Sequence, residues 1–178
     1  MVAARKALKI EMGDRDKDRE VGPTHKDEAD QIVNVARVAR VFNEEEIAAV
    51  EELVQDYIAK GEASDYRFLS YRLDGRVAGF ACYGCRSLTR GTFDLFWIAT
   101  VPSAQRRGVG AELLRQVERN IRSLGGRLVI VETSSQPEYE SARRFYDSHG
   151  YRREAVIADF YDEGDGLVLY SKKLEGIE

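Results

Sequence analysis

A mixed α/β fold built on about seven strands is predicted by three observations. Runs rich in aromatic and β-branched residues alternate with helically spaced apolar residues, in the order strand, helix, three strands, helix, strand, helix, two strands. An Asp74-Gly75 pair between two such runs is a strong hairpin signal, which makes part of the sheet antiparallel. The run 93–101 then passes through a short cationic, glycine-bearing loop into a strongly patterned helix, so a strand feeds a helix N-terminus.

Each element has its own warrant. Residues 1–30 interleave acidic and basic side chains with few large apolar ones, so they are expected to be a charged arm or extension, with the folded domain at 31–178. Ile32, Val33, Val35, Val38 and Val41 are β-branched and suggest a first strand. Asn43 and Glu46 make an Asn-x-x-Glu capping box flanked by Phe42 and Ile47, which starts a helix that Gly61 closes. Strands follow at 67–73 and 76–86 about the Asp74-Gly75 turn, and a third at 92–101 is ended by Pro102, which cannot donate to a ladder. Val109, Leu113, Leu114, Val117, Ile121 and Leu124 give the next helix its apolar face, and Gly125 stops it. A strand at 127–133, a helix at 137–149 opened by Pro137 and stopped by Gly150, and two strands about the 162–166 tip complete the chain.

Composition bounds the function. A chain of 178 residues with 43% hydrophobic and 33% charged content is one ordinary globular domain with a real core. A net charge of −4 and no basic stripe argue against a nucleic-acid surface. No apolar run approaches the roughly 20 residues of a membrane span, and the N-terminus lacks a signal-peptide core, so a cytoplasmic protein that does not engage membranes is expected. Cys82 and Cys85 form a lone Cys-x-x-Cys in a strand, where residues three apart face opposite sides, and no second pair completes a zinc site; no metal is expected. Monomer and homodimer stay open.

The loop 105–111, Gln-Arg-Arg-Gly-Val-Gly-Ala, is built to cradle phosphate. The first helical turn has N–H groups without internal partners at the positive end of the dipole, and Gly108 and Gly110 carry no Cβ to obstruct an anion. It is not a P-loop, which needs Gly-Lys-Ser/Thr, and not a dinucleotide fingerprint, since Leu113 stands where the third glycine belongs. Gln/Arg-x-x-Gly-x-Gly/Ala after a strand resembles the acetyl-CoA-binding motif of the GNAT N-acetyltransferase superfamily, complete here as Gln105, Gly108 and Gly110. A second stretch, Ser141-Ala-Arg-Arg-Phe-Tyr-Asp-Ser-His-Gly-Tyr151, resembles the Ala-x-x-Phe-Tyr helix of that superfamily in the expected order and separation.

The resemblance spans about residues 31–174 and implies a mostly antiparallel twisted sheet with helices on both faces. Within it, the strand ending at Val101 and the strand ending near Thr133 would run parallel but splay, and the wedge would admit the pantetheine arm of acetyl-CoA as co-substrate. Backbone groups of Ile98, Ala99 and Thr100 would pair with its amides, a bulge N–H would face the thioester carbonyl, and Gln105, Arg106, Arg107, Gly108, Val109, Gly110 and Ala111 would surround its phosphates. The resemblance offers Glu132 or Asp94 as the base that deprotonates an amine and Tyr146 as the acid that quenches the thiolate. Period two sets Asp94, Phe96 and Ile98 on one face. Either carboxylate could instead be an ordinary strand-end group paired with arginine, and Tyr146 could merely pack. An asparagine common in the loop before the Phe-Tyr helix is missing here; Ser134, Ser135, Tyr139 or Ser141 would have to replace its hydrogen bond to the coenzyme. The acidic, aromatic 159–166 tip would suit a cationic amine or be a solvated turn. The implied activity is direct acetyl transfer to a primary amine of a small molecule or amino acid. The alternatives are a protein N-terminal or lysine acetyltransferase and a non-catalytic acyl-CoA sensor.

Overall fold

The computed structural model describes residues 19–174. Seven strands form one sheet in the order β1-β2-β3-β4-β5-β7-β6. They are β1 Arg19–Pro23, β2 Tyr66–Leu73, β3 Arg76–Cys85, β4 Thr92–Thr100, β5 Leu128–Ser134, β6 Arg152–Asp162 and β7 Asp165–Lys173. The helices are α1 Ala29–Ala39, α2 Glu44–Lys60, α3 Val109–Ser123 and α4 Glu140–Ser148. Every strand pair is antiparallel except β4 with β5. Helices α1 and α2 cover one face over Phe68, Phe80 and Cys82, whereas α3 and Tyr146 of α4 pack on the other with Leu69, Tyr71 and Tyr83.

The chain enters this fold earlier than expected, and not as a strand. Residues 31–41 were expected to give the first strand; instead α1 occupies them, because Ala29, Ile32, Val33, Ala36 and Ala39 recur at helical spacing and are all buried, while Asn34 and Arg37 face solvent. Burial of that stripe outweighs the β preference of valine. Arg40, at φ 59, ends the helix and leaves Val41 exposed. The first strand is β1, which lies in the region read as an arm and pairs with β2 from Arg19↔Leu73 to Pro23↔Leu69. An edge strand needs little apolar content and tolerates proline. What fixes it is a buried ion pair: Arg72 Nε donates to Glu28 Oε1 at 2.6 Å, its Nη2 donates to Glu28 Oε2 at 2.7 Å and to the Pro23 carbonyl at 2.9 Å. The arm proper, residues 1–18, lies outside the described residues.

Elsewhere the local signals hold. Asp74 and Gly75 have φ 50 and 71, the two positive values that a type I′ hairpin requires. Asn43 Oδ1 accepts from Glu46 N and Glu46 Oε2 accepts from Asn43 N, each at 2.8 Å, which closes the capping box. Cys82 is buried against α1 and α2 while Cys85 is exposed, so the two thiols do not face one another.

Candidate active site

The sheet opens where β4 and β5 part. Only Thr92↔Leu128, Phe93↔Val129 and Asp94↔Ile130 pair; beyond Asp94 the two strands share no ladder. The register between β3 and β4 slips at the same level, from Cys82↔Trp97 to Tyr83↔Leu95, so Phe96 is the extra residue of a bulge. The bulge corrects one expectation. Phe93, Leu95 and Ile98 pack toward α3, whereas Trp97 and Ala99 pack toward α1 and α2, so Ile98 does not share a face with Asp94. One added residue has inverted the alternation.

A cleft of about 410 Å³ occupies the opening. It is lined by Asp94, the Phe96–Trp97 bulge and Glu132, by Ser141, Ala142 and Tyr146 of α4, and by the Val41–Asn43 loop. Both carboxylates offered as bases are there, and one arginine holds both. Arg86 Nε donates to Asp94 Oδ1 and Oδ2 at 2.8 and 3.0 Å, and its Nη2 reaches Glu132 Oε1 at 2.8 Å. These bonds push the guanidinium further above its already high ordinary value, so Arg86 stays cationic. The reading of Asp94 and Glu132 as arginine-paired carboxylates is therefore correct as a description of contacts. It does not remove them from the cleft, and it separates them: Asp94 gives both oxygens to Arg86, while Glu132 keeps Oε2 without a partner among the described residues.

Tyr146 is 6% exposed and lines the cleft. Its ring packs on Phe145, Tyr151 and Tyr170 at centroid distances of 5.4, 5.5 and 5.9 Å, yet its hydroxyl has no hydrogen-bond partner among the described residues. Burial raises its phenol well above the usual value, which keeps the proton on oxygen. Phe145 packs against the start of α3, where a Cβ on Gly110 would meet its ring at 3.5 Å.

The 105–111 loop enters α3 through left-handed backbone. Arg106 and Gly108 take φ 57 and 82, and α3 starts at Val109. Gln105, Arg106, Arg107 and Gly108 are exposed, and the first helical backbone bond is Glu112 N–H to Gly108 O, which leaves the N–H groups of Val109, Gly110 and Ala111 outside the helix ladder. Of the four residues offered in place of the missing asparagine, three are engaged. Ser134 Oγ donates to Asp165 Oδ1 at 2.5 Å, Ser135 Oγ accepts from Gly166 N at 2.8 Å, and the Tyr139 hydroxyl donates to Val41 O at 3.1 Å. Ser141, exposed at the start of α4, has a hydroxyl without a partner among the described residues.

Two contributors escape sequence reasoning. Arg86 carries no local signal, since its role exists only where the ends of β3, β4 and β5 converge. Tyr161 had a faint one in the aromatic, acidic 159–166 stretch; it lines the cleft because β6 loses register with β7 between Ile157 and Asp162.

Comparison with known proteins agrees with this geometry. The acetyltransferase (GNAT) domain model matches residues 64–153. An uncharacterized N-acetyltransferase of Methanocaldococcus jannaschii is 28% identical over 149 residues, 76% of this chain and 91% of that protein. A GNAT-family protein from Desulfovibrio desulfuricans superposes with a TM-score of 0.86 at 35% identity, covering 88% of this chain and 99% of its own. PaiA N-acetyltransferase from Thermoplasma acidophilum, solved with coenzyme A, shares the fold at a TM-score of 0.70 and 19% identity, over 87% of this chain and 98% of that one. A splayed parallel pair beside a glycine-bearing helix start thus defines an acyltransferase, and the chain belongs to the GNAT acetyltransferase family. Among the described residues no helix is long and apolar enough to cross a membrane.

Proposed function

We propose that the protein transfers an acetyl group from acetyl-CoA directly to a primary amine, with both substrates bound together, and that the acceptor is a small molecule. The observation that carries this is the meeting, in one cleft at the β4/β5 opening, of a carboxylate oxygen of Glu132 and the hydroxyl of the largely buried Tyr146, neither with a hydrogen-bond partner among the described residues.

The residues fit acetyl-CoA as co-substrate. The N–H groups from Arg106 to Ala111 would receive its phosphates, with Gln105 beside them and Arg106 and Arg107 supplying positive charge. Ile98, Ala99 and Thr100 on the open edge of β4 would pair with the pantetheine amides, and Ser141, rather than the engaged Tyr139, would supply the hydroxyl that replaces the missing asparagine. A backbone N–H at the Phe96–Trp97 bulge would face the developing oxyanion.

An alkyl amine with a pKa of roughly 10 arrives as ammonium, so a base must act. Glu132 suits that role better than Asp94, since one of its oxygens is unengaged. The ammonium first gives one proton to Glu132, directly or through a water, and Glu132 releases it to solvent. The neutral amine nitrogen then attacks the thioester carbon, and the second N–H proton of the tetrahedral adduct passes to Glu132. The C–S bond then breaks as Tyr146 gives its phenolic proton to the departing sulfur, and solvent restores that proton. The sequence contains no cysteine in the cleft-forming motifs that could carry an acyl intermediate.

The test combines calorimetric titration with acetyl-CoA and a screen of amines, amino acids and N-terminal peptides for coenzyme A release. Binding with turnover on a small amine is the expected result. Turnover confined to peptides would move the reading to a protein acetyltransferase, and binding with no turnover on any acceptor would favour an acyl-CoA sensor.

A further inference from the structure

The cleft is more acidic than acetyl transfer to a single amine requires. Besides Asp94 and Glu132 it is lined by Glu46 of α2, Glu138 ahead of α4 and Asp165 at the start of β7, none of which has a cationic partner among the described residues. Their hydrogen bonds come from neutral donors: Glu46 accepts from the Asn43 N–H at 2.8 Å and Asp165 from the Ser134 hydroxyl at 2.5 Å. With Asp94 and Glu132, five carboxylates face the space, against the one guanidinium of Arg86. Two tyrosines enclose this region. Tyr139 is fixed by its bond to Val41 O at 3.1 Å. Tyr161 is carried over the cleft by the irregular stretch of β6, which Asp159, at φ 52, pins by accepting from the Gly164 N–H at 2.8 Å. Burial first, then the nearby Glu132, Asp165 and Glu46, push the Tyr161 phenol up to about 12, so its ring stays neutral. Independently of the acids, the 6% exposed Tyr146 presents to the same cleft a hydroxyl that awaits a partner.

Unpaired carboxylates beside aromatic faces are the complement of an ammonium group. A monoamine would answer only the Glu132 end. An amino acid would fare worse, because its carboxylate would meet the acids while the sole arginine is already occupied by Asp94 and Glu132. Resting on the acetyltransferase reading above, we propose that the acceptor is a diamine or polyamine: one amine is acetylated beside Glu132 and Tyr146 while a second, protonated, is held by Glu46 and Asp165 under the rings of Tyr139 and Tyr161.

Coenzyme A release from acetyl-CoA is measured with 1,4-diaminobutane, 1-aminobutane and 4-aminobutanoate, acceptors matched in chain and different at the far group. The expected kcat/KM for the diamine exceeds that for the monoamine by about tenfold or more, mainly through KM, with the aminocarboxylate slower still. Asp165→Asn and Glu46→Gln, the latter a change that keeps the capping bond, should each lower the diamine-to-monoamine ratio by about threefold or more, and added salt should lower it too. Calorimetry of the three amines against protein saturated with coenzyme A must give the same ranking without turnover. Equal preference for diamine and monoamine, or a ratio that neither substitution moves, overturns the diamine assignment and leaves acetyl transfer intact; failure to bind acetyl-CoA overturns the reading beneath it.

Discussion

Tyr146→Phe removes one oxygen and little else, which makes its consequences unusually separable. The ring lies within 5.4 to 5.9 Å of Phe145, Tyr151 and Tyr170, and phenylalanine retains that packing. The lost hydroxyl makes no hydrogen bond among the described residues and is not one of the fully buried unpaired atoms, so no partner is orphaned and little stability is at stake. Unfolding temperature should therefore stay within about 2 °C of wild type. If the phenol is the proton donor to the leaving thiolate, its loss should lower kcat by about 10²- to 10⁴-fold, or roughly 3–5 kcal/mol of barrier. Coenzyme A affinity should change by less than about threefold, since that proton is needed only as the thiolate departs. The assay pairs steady-state coenzyme A release with calorimetry and thermal unfolding on one preparation. A kcat within threefold of wild type, or equal losses in kcat and affinity, would refute the assignment; a fall in unfolding temperature would show that the hydroxyl has a structural partner.

Glu132→Gln should lower kcat/KM by about 100-fold and Asp94→Asn by less than about tenfold, and the reverse order in steady-state kinetics would exchange the two as base. Arg72→Met strands Glu28, 5% exposed, without its cation and should cost about 3–5 kcal/mol in chemical denaturation. Burial pushes the Glu28 carboxyl up, but the hydrogen bonds from Arg72 and the His25 N–H outweigh it and hold the group below its ordinary value. Its contribution is thus complete above about pH 4.3 and is lost as pH falls further, so wild-type stability should decline below that pH more steeply than that of Glu28→Gln. Gly108→Ala meets no atom within 4 Å but must hold φ 82, so a loss of about 1 kcal/mol by denaturation is expected together with weaker coenzyme A binding; unchanged stability would contradict the backbone argument.

What the sequence revealed followed the range of the forces concerned. The capping box at Asn43, the I′ turn at Asp74-Gly75 and the glycine-bearing entry to α3 are set by a few adjacent residues, and each is found as read. The valines of 32–41 misled because a residue's strand preference is weaker than the burial of a helical stripe, which only the finished sheet supplies. β1 escaped notice because its anchor, Glu28 to Arg72, spans 44 residues. In the cleft, Glu132, Asp94 and Tyr146 were legible from motif position. Arg86 was not, since two carboxylates on separate strands announce a need for a cation without naming it. The Phe96 bulge was likewise invisible, being a property of the pairing between β3 and β4.

Three residue pairs, Thr92 to Asp94 against Leu128 to Ile130, make the whole ladder between β4 and β5. Mechanically the protein is therefore two half-sheets, of four strands and of three, hinged along one short seam. Arg86 acts as a clasp just above the hinge, and the Tyr139–Val41 bond spans the mouth. A ligand that hydrogen-bonds along the open edge of β4 while touching α4 becomes a structural strut, and the free energy of binding it is added to the resistance of the halves to opening. Hydrogen exchange at the amides of β5 should then slow on addition of coenzyme A more than exchange at β2, which is remote from the seam.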